Sequence, residues 1–292
     1  MAVEFPEWAY PAVPPHVPGH PEAVQHVPGS VLRFTQAQID SGYEVADWYP
    51  DEHPPMPRIV SQGAGPPVRA CAMCHLPSGA GHPETAGLAG QPVAYAMRQL
   101  QDMQTGARTG SRAASMLPIV RGATPELLLE ASEYYAHLPL VRFTHVVETP
   151  MVPKTMLGLG GVRYAVPEGD LEPLGERIIE IPEDADRAHS RDSHSGFIAH
   201  VPPGSVARGE ALLAGVASTP ASCAACHGPA LHGDGDVPGI AGRSTLSTFR
   251  ALNDYQAGNR AGPATPPMRS IVAEMTQGDM MAIAAYLTTL QP

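Results

Sequence analysis

The chain has 292 residues and a net charge of -11, with only 16% of its residues charged. Eighteen Lys and Arg, of which Lys154 is the single lysine, give no basic face for nucleic acid phosphates, while a basic or neutral protein partner stays open. Leu, Ile, Val and Phe make up 19.9% of the chain, the border of the disordered range, yet the charge content is too low for a self-repelling coil, so something besides aliphatic side chains is expected to fill the interior.

Residues 1–56 hold 10 of the 33 prolines and are expected to run as an extended arm over the surface. Their start, Met1 to Pro6, has neither a basic nor an apolar leader region; either a signal has been removed or export takes another route. No apolar run approaches the roughly 18 residues of a membrane span. Pro57 to Gly63 can form a short helix ahead of the first cysteines.

All four cysteines fall in two clusters, Cys71-Ala72-Met73-Cys74-His75 and Cys223-Ala224-Ala225-Cys226-His227. Cys-x-x-Cys-His is the attachment pattern of covalent haem: two thiols about a helical turn apart add to the two vinyl groups, and the adjacent imidazole faces the iron. Zinc, dithiol chemistry and two local disulfides compete with this reading. Zinc would need pairs almost 150 residues apart to meet, a thioredoxin-like dithiol would need a βαβ pattern, and disulfides would not need a histidine after each pair.

Shifted by 152 residues, the chain matches itself: 22 of 68 positions are identical between 71–138 and 223–290. Gly87-Leu88-Ala89-Gly90 falls on Gly239-Ile240-Ala241-Gly242. Gln104, Gly106, Arg108 and Gly110 fall on Gln256, Gly258, Arg260 and Gly262. Of the twelve methionines only Met116 and Met268 coincide, each 41 residues after its motif histidine. A thioether is a soft ligand for haem iron, so these two are read as the axial partners of His75 and His227. Met73, Met97, Met103 and Met275 have no counterpart and are read as packing.

Helices are predicted from Pro92 to Met103, from Thr124-Pro125 to Leu138 with Thr124 as N-cap, from Ser205 to Gly215 and from Thr276 to Leu290. Between the copies, Arg177 to Ile181 and Gly196 to His200 read as strands that could pair as a hairpin. His26-Val27-Pro28-Gly29-Ser30-Val31 echoes His200 to Val206, which places an extra piece near Leu32 to Pro55, with Trp48, Tyr49, Asp51 and Glu52. The histidine pair of that echo is expected to fix a turn. His16, His20, His53, His82, His137, His145, His189, His194 and His232 are read as surface or hydrogen-bonded residues.

Cys71, Cys74, His75 and Met116, with Cys223, Cys226, His227 and Met268, resemble the class I c-type cytochromes, and the duplication resembles the dihaem cytochrome c4-like group. The resemblance covers about 68 residues in each half. It implies an all-α fold of two tandem cytochrome c domains, 57–140 and 205–292, with the arm 1–56 and an irregular insert 141–204 outside it. It further implies two covalently bound haem c groups held through the four cysteines, and an exported, periplasmic one-electron carrier. Its partners would be a periplasmic dehydrogenase as donor and an oxidase or another cytochrome as acceptor. The alternatives are a dihaem enzyme and a cytochrome subunit of a dehydrogenase complex. Thiosulfate dehydrogenases look similar but use a His/Cys haem, and no fifth cysteine exists here. A dihaem peroxidase would have to displace a methionine.

Overall fold

The computed structural model describes residues 5–12, 20–110, 113–216 and 222–292. His16 lies outside them.

In the first copy the motif forms a single helical turn, Ala72–His75, followed by the helix Val93–Thr105, which Gly106 ends in the left-handed region. The helix Ala113–Gly122 carries Met116, and the helix Pro125–Ala136 starts at the Thr124 cap, whose hydroxyl accepts the Leu127 N–H. The second copy repeats the order as Cys223–His227, Thr245–Gln256, Pro266–Val272 and Gln277–Thr289, the last opened by a capping box between Thr276 and Asp279.

The copies differ ahead of the motif. Ser205–Val216 is a helix of three turns that packs on Gln277–Thr289, and Gly209 permits the crossing because a Cβ there would strike the Ala282 carbonyl. In the first copy the corresponding helix shrinks to Arg58–Ser61. Pro54, Pro55 and Pro57 occupy its opening turn, where they remove amide donors and push the preceding residues out of the helical region.

The all-α expectation holds only roughly. About 39% of the chain is helix and 15% strand, in several small sheets. The expected hairpin forms, with Ile179–Pro182 antiparallel to Phe197–Val201 and Ile181 opposite Ile198, and Thr144–Glu148 adds a parallel third strand. A second, longer hairpin was not anticipated. Met151–Pro153 pairs with Leu171–Pro173, then Thr155–Leu157 with Arg163–Ala165, around a turn at Leu159–Gly161. Local propensity misses it because Pro153, Pro167 and Pro173 and a run of glycines interrupt the pattern.

The N-terminal region is likewise more than an extended arm. Val27, Ile39, Ala46, Trp48 and Tyr49 bury one another in a small core of their own, beside a two-stranded ladder and the helical turn Gln36–Ile39. The echo holds as a shared turn: Gly29 and Gly204 have φ of 84° and 83°.

The two copies meet in a reciprocal seam. Thr109 N–H donates to the Asn259 carbonyl at 2.8 Å, and Ala261 N–H to the Ala107 carbonyl at 2.7 Å. Arg98 bonds Asp236 at 3.4 Å, and Arg250 bonds Glu84 at 2.9 Å. Gly110 faces the Asp254 carboxylate, and Gly262 faces that of Asp102. Each contact has its partner at an offset of 152, the reciprocity expected of a two-fold interface within one chain.

Candidate functional site

Cys71, Cys74, His75 and Met116 line one cavity of about 1600 Å³. Its apolar wall includes Leu100, Met103, Ile119, Leu128 and Tyr135. Met116 is half-buried on its helix beside Met103 and Val120. That helix is tied down by Gln104, whose side chain donates to the Val120 carbonyl; Gln256 does the same for Val272, at 2.8 Å. The matched Gln, Ile and Val positions of the repeat thus hold in place the helix that bears each methionine.

The two motif histidines are oriented alike. His75 Nδ1 lies 2.8 Å from the Ala86 carbonyl, and His227 Nδ1 lies 2.7 Å from the Pro238 carbonyl, eleven residues downstream in both cases. Donating Nδ1–H to a carbonyl fixes the tautomer and leaves Nε2 with its lone pair, the form that ligates a metal. Burial lowers the pKa of both imidazoles and keeps them neutral. Burial pushes the Cys71 thiol up to about 12 and raises Cys74 and Cys223 as well.

In the second copy, Cys223 and Met268 pack against one apolar cluster with Ile240, Tyr255, Leu231, Phe249 and Leu252. Met97 and Met275 pack in apolar clusters, Met103 packs and also lines the first cavity, and Met73 lines that cavity.

Sequence reasoning found the motif but missed the charge at the seam. Arg108 and Arg260 line the first cavity, and Arg243 reaches across to the Gly87 and Ala89 carbonyls at 3.0 Å. Burial, then the neighbouring Arg260, brings Arg108 down to about 10, and burial brings Arg243 to about 10. Although burial opposes it, Arg260 and Arg108 pull the Tyr95 hydroxyl below its ordinary value. Arg260 Nε is buried with no partner. The Gln-x-Gly-x-Arg match in the repeat was the signal that pointed here.

A porphyrin with two carboxylates fits this site. The large apolar wall matches its faces, the two thiols and the oriented imidazole match its tethers and iron, and the clustered guanidiniums match its carboxylates. Among the described residues no group of three or more His, Cys, Asp or Glu could hold a metal ion by itself.

The insert and the N-terminal region supply walls that the repeat did not announce. The tip of the long hairpin contributes Met156, Leu157, Gly158, Val162 and Tyr164 to the cavity, and residues 20–43 contribute Gln36, Asp40 and Tyr43.

The Cytochrome c family model matches residues 206–291. Cytochrome c4 of Stutzerimonas stutzeri is 25% identical over 233 residues, 76% of this chain and 85% of that one. A thiosulfate dehydrogenase electron acceptor of Stutzerimonas stutzeri strain A1501 is 26% identical over 240 residues, 80% of this chain and 85% of that one. Among solved structures, the thiosulfate dehydrogenase TsdBA of Marichromatium purpuratum shares the fold with a TM-score of 0.50 at 22% identity over 80% of this chain. This chain spans 39% of that one.

Proposed function

We propose that this chain, a class I c-type cytochrome of the c4 type, carries two covalently bound haem c groups and passes single electrons between a periplasmic dehydrogenase and a downstream acceptor or oxidase. Residues 57–140 and 205–292 are its two haem domains, and 1–56 and 141–204 are additions to them. Cys71 and Cys74 would hold one haem through thioethers, and Cys223 and Cys226 would hold the other. His75 with Met116, and His227 with Met268, would be the protein donors to each iron. When bound, haem iron supplies a one-electron ferric/ferrous couple.

The observation that carries this reading is the duplicated histidine geometry: both Nδ1 atoms rest on a carbonyl eleven residues on, with a methionine 41 residues on in each copy. A histidine and a methionine offered to each iron would suit electron transfer more than catalysis, which needs a free coordination position. Arg108 and Arg260 would counter the haem carboxylates, and the apolar walls would exclude water. Covalent attachment of haem c normally takes place outside the bacterial cytoplasm, so the chain works in the periplasm. No helix among the described residues is long and apolar enough to cross a membrane.

The test is spectroscopic. The ferric protein should show the near-infrared sulfur-to-iron band at both haems, and its absence would refute methionine ligation. Met116→Ala should lower one potential and admit carbon monoxide or azide at one iron.

The likeness to a thiosulfate dehydrogenase electron acceptor favours a second reading, in which the donor is an enzyme of sulfur oxidation or the chain itself turns over thiosulfate. Thiosulfate or hydrogen peroxide turnover by the isolated protein would support catalysis over carriage.

A further inference from the structure

The same motif occurs twice in one chain, and the surroundings of its two copies differ. In the first copy Pro77 is buried, and Met73, Cys74 and Ser78 are half-buried. At the matching positions of the second copy Ala225, Cys226, Pro229 and Ala230 are all exposed. Cys74 and Pro77 are identical to Cys226 and Pro229, so at these two positions the contrast arises from what lies on top.

Over the first copy lie the two segments that the repeat does not contain. Arg191, from the insert, donates to the Met73 carbonyl at 2.6 Å and to the Ile39 carbonyl at 3.0 Å, tying the motif loop, the N-terminal region and the insert together. Its backbone has φ of 56°, a costly conformation for a non-glycine residue that the surrounding bonds hold in place. Trp48 Nε1–H donates to the Ser190 carbonyl at 2.7 Å, and Tyr49 O–H to Asp192 at 3.1 Å, so the two segments also lock to each other. The hairpin tip closes over the same cavity. The second copy has no arginine in the role of Arg191 among the described hydrogen bonds. Its motif turn continues through Gly228 at φ 79°, where the first copy forces Leu76 to 63°.

A thioether tether fixes one edge of a haem within a bond of each cysteine sulfur. Where the cysteine is exposed, that edge is at the surface; where it is covered, a protein partner cannot approach it. We propose that partner proteins dock on the face formed by Ala225, Cys226, Pro229 and Ala230, and that the corresponding face of the first copy is closed by the insert and the N-terminal region. The face is uncharged and built from small side chains, so it fits a one-electron redox protein whose own cofactor edge is framed by uncharged residues. The first site then communicates with the outside through the seam, not by direct docking. This inference rests on the two-haem carrier reading.

The test uses the holoprotein and a monohaem c-type cytochrome as probe. In hydrogen exchange followed by mass spectrometry, the probe should protect residues 223–230 and leave 71–78 and 151–173 unchanged. Protection of either of the latter segments in place of 223–230 would overturn the assignment. In stopped-flow mixing, reduction by the probe should show one phase that depends on probe concentration and one that does not. Ala225→Arg, at an exposed position, should slow the first phase at least tenfold, whereas Leu171→Arg, exposed on the hairpin over the first site and outside the cavity lining, should leave it unchanged. Native rates in Ala225→Arg, or two concentration-dependent phases in the native protein, would refute the proposal. The pyridine haemochrome spectrum and intact mass count the haems independently: a count of one refutes the carrier reading, while a count of two with the wrong footprint refutes only the docking face.

Discussion

The two ion pairs of the seam give a controlled measurement of what burial does to a charge pair. Arg250–Glu84 and Arg98–Asp236 are equivalent under the 152-residue offset, but the side chains of the first are 6% and 3% exposed and those of the second 37% and 69%. The difference has a cause in the N-terminal strip. Trp8 packs on Phe249 with ring centroids 4.8 Å apart, Arg250 donates to the Ala9 carbonyl, and Asn253 donates to the Tyr10 hydroxyl at 3.0 Å, so residues 8–10 roof one pair and leave the other in water. Glu84→Ala strands a buried guanidinium, for which the cost is about 3–5 kcal/mol. Arg250 keeps the Pro83 and Ala9 carbonyls, which places the expected loss near 3 kcal/mol. Asp236→Ala breaks a solvated pair and should cost about 0–1 kcal/mol. Urea unfolding of the holoprotein, followed by far-ultraviolet circular dichroism, should therefore move its midpoint by about 1 M or more for Glu84→Ala and hardly at all for Asp236→Ala, taking a slope of roughly 1–3 kcal/mol per molar. Removing residues 5–12 should bring the Arg250–Glu84 coupling, measured by a double-mutant cycle, down to that of Arg98–Asp236. Equal midpoint shifts for the two single variants would show that the strip does not make the buried pair different.

Gly110→Ala and Gly262→Ala should each cost about 1–3 kcal/mol in thermal unfolding, since a new Cβ meets the carboxylate of Asp254 or Asp102; a neutral effect at both would remove the close seam. Glu180, buried and held by Thr144, Ser244 and the Leu246 N–H, has its pKa raised by burial. The stabilisation it contributes is complete below the ordinary carboxylate pKa of about 4.3 and is lost as the pH rises to the higher folded value. The cost of Glu180→Gln should accordingly shrink between pH 4 and pH 7, and a cost independent of pH would contradict this. His53 is raised by its hydrogen bond to Asp47, so its contribution is present below about pH 6.5 and lost as the pH rises through the folded value; His53→Gln should flatten that part of the stability profile.

The candidate sites were largely legible because their chemistry is local. Two thiols and an imidazole must sit within one helical turn, so Cys71, Cys74 and His75 show themselves without any tertiary knowledge. Met116 and Met268 became visible only because the chain carries two copies, each serving as the other's alignment. The helices after each motif were readable from Thr124 and Thr276 and from the spacing of apolar residues. The first copy's opening helix, read as Pro57 to Gly63, forms over Arg58–Ser61. The long hairpin was missed because Val162 and Tyr164 are buried against Phe197, Phe143 and Ala188, distant in sequence, while the local pattern is rich in Gly and Pro.

From the sequence by itself follow the duplication, the two attachment motifs, the residues offered to the iron and the need for a large apolar group in a chain with few aliphatic side chains, because each depends on residue type and spacing along the chain. Tertiary structure alone decided that the copies meet in a reciprocal seam, that Arg108 and Arg260 converge there, and that Arg191 closes one motif while the other stays open. Those features depend on which distant segments come to lie over which copy. Two nearly identical motifs can therefore differ in accessibility for reasons that neither motif contains.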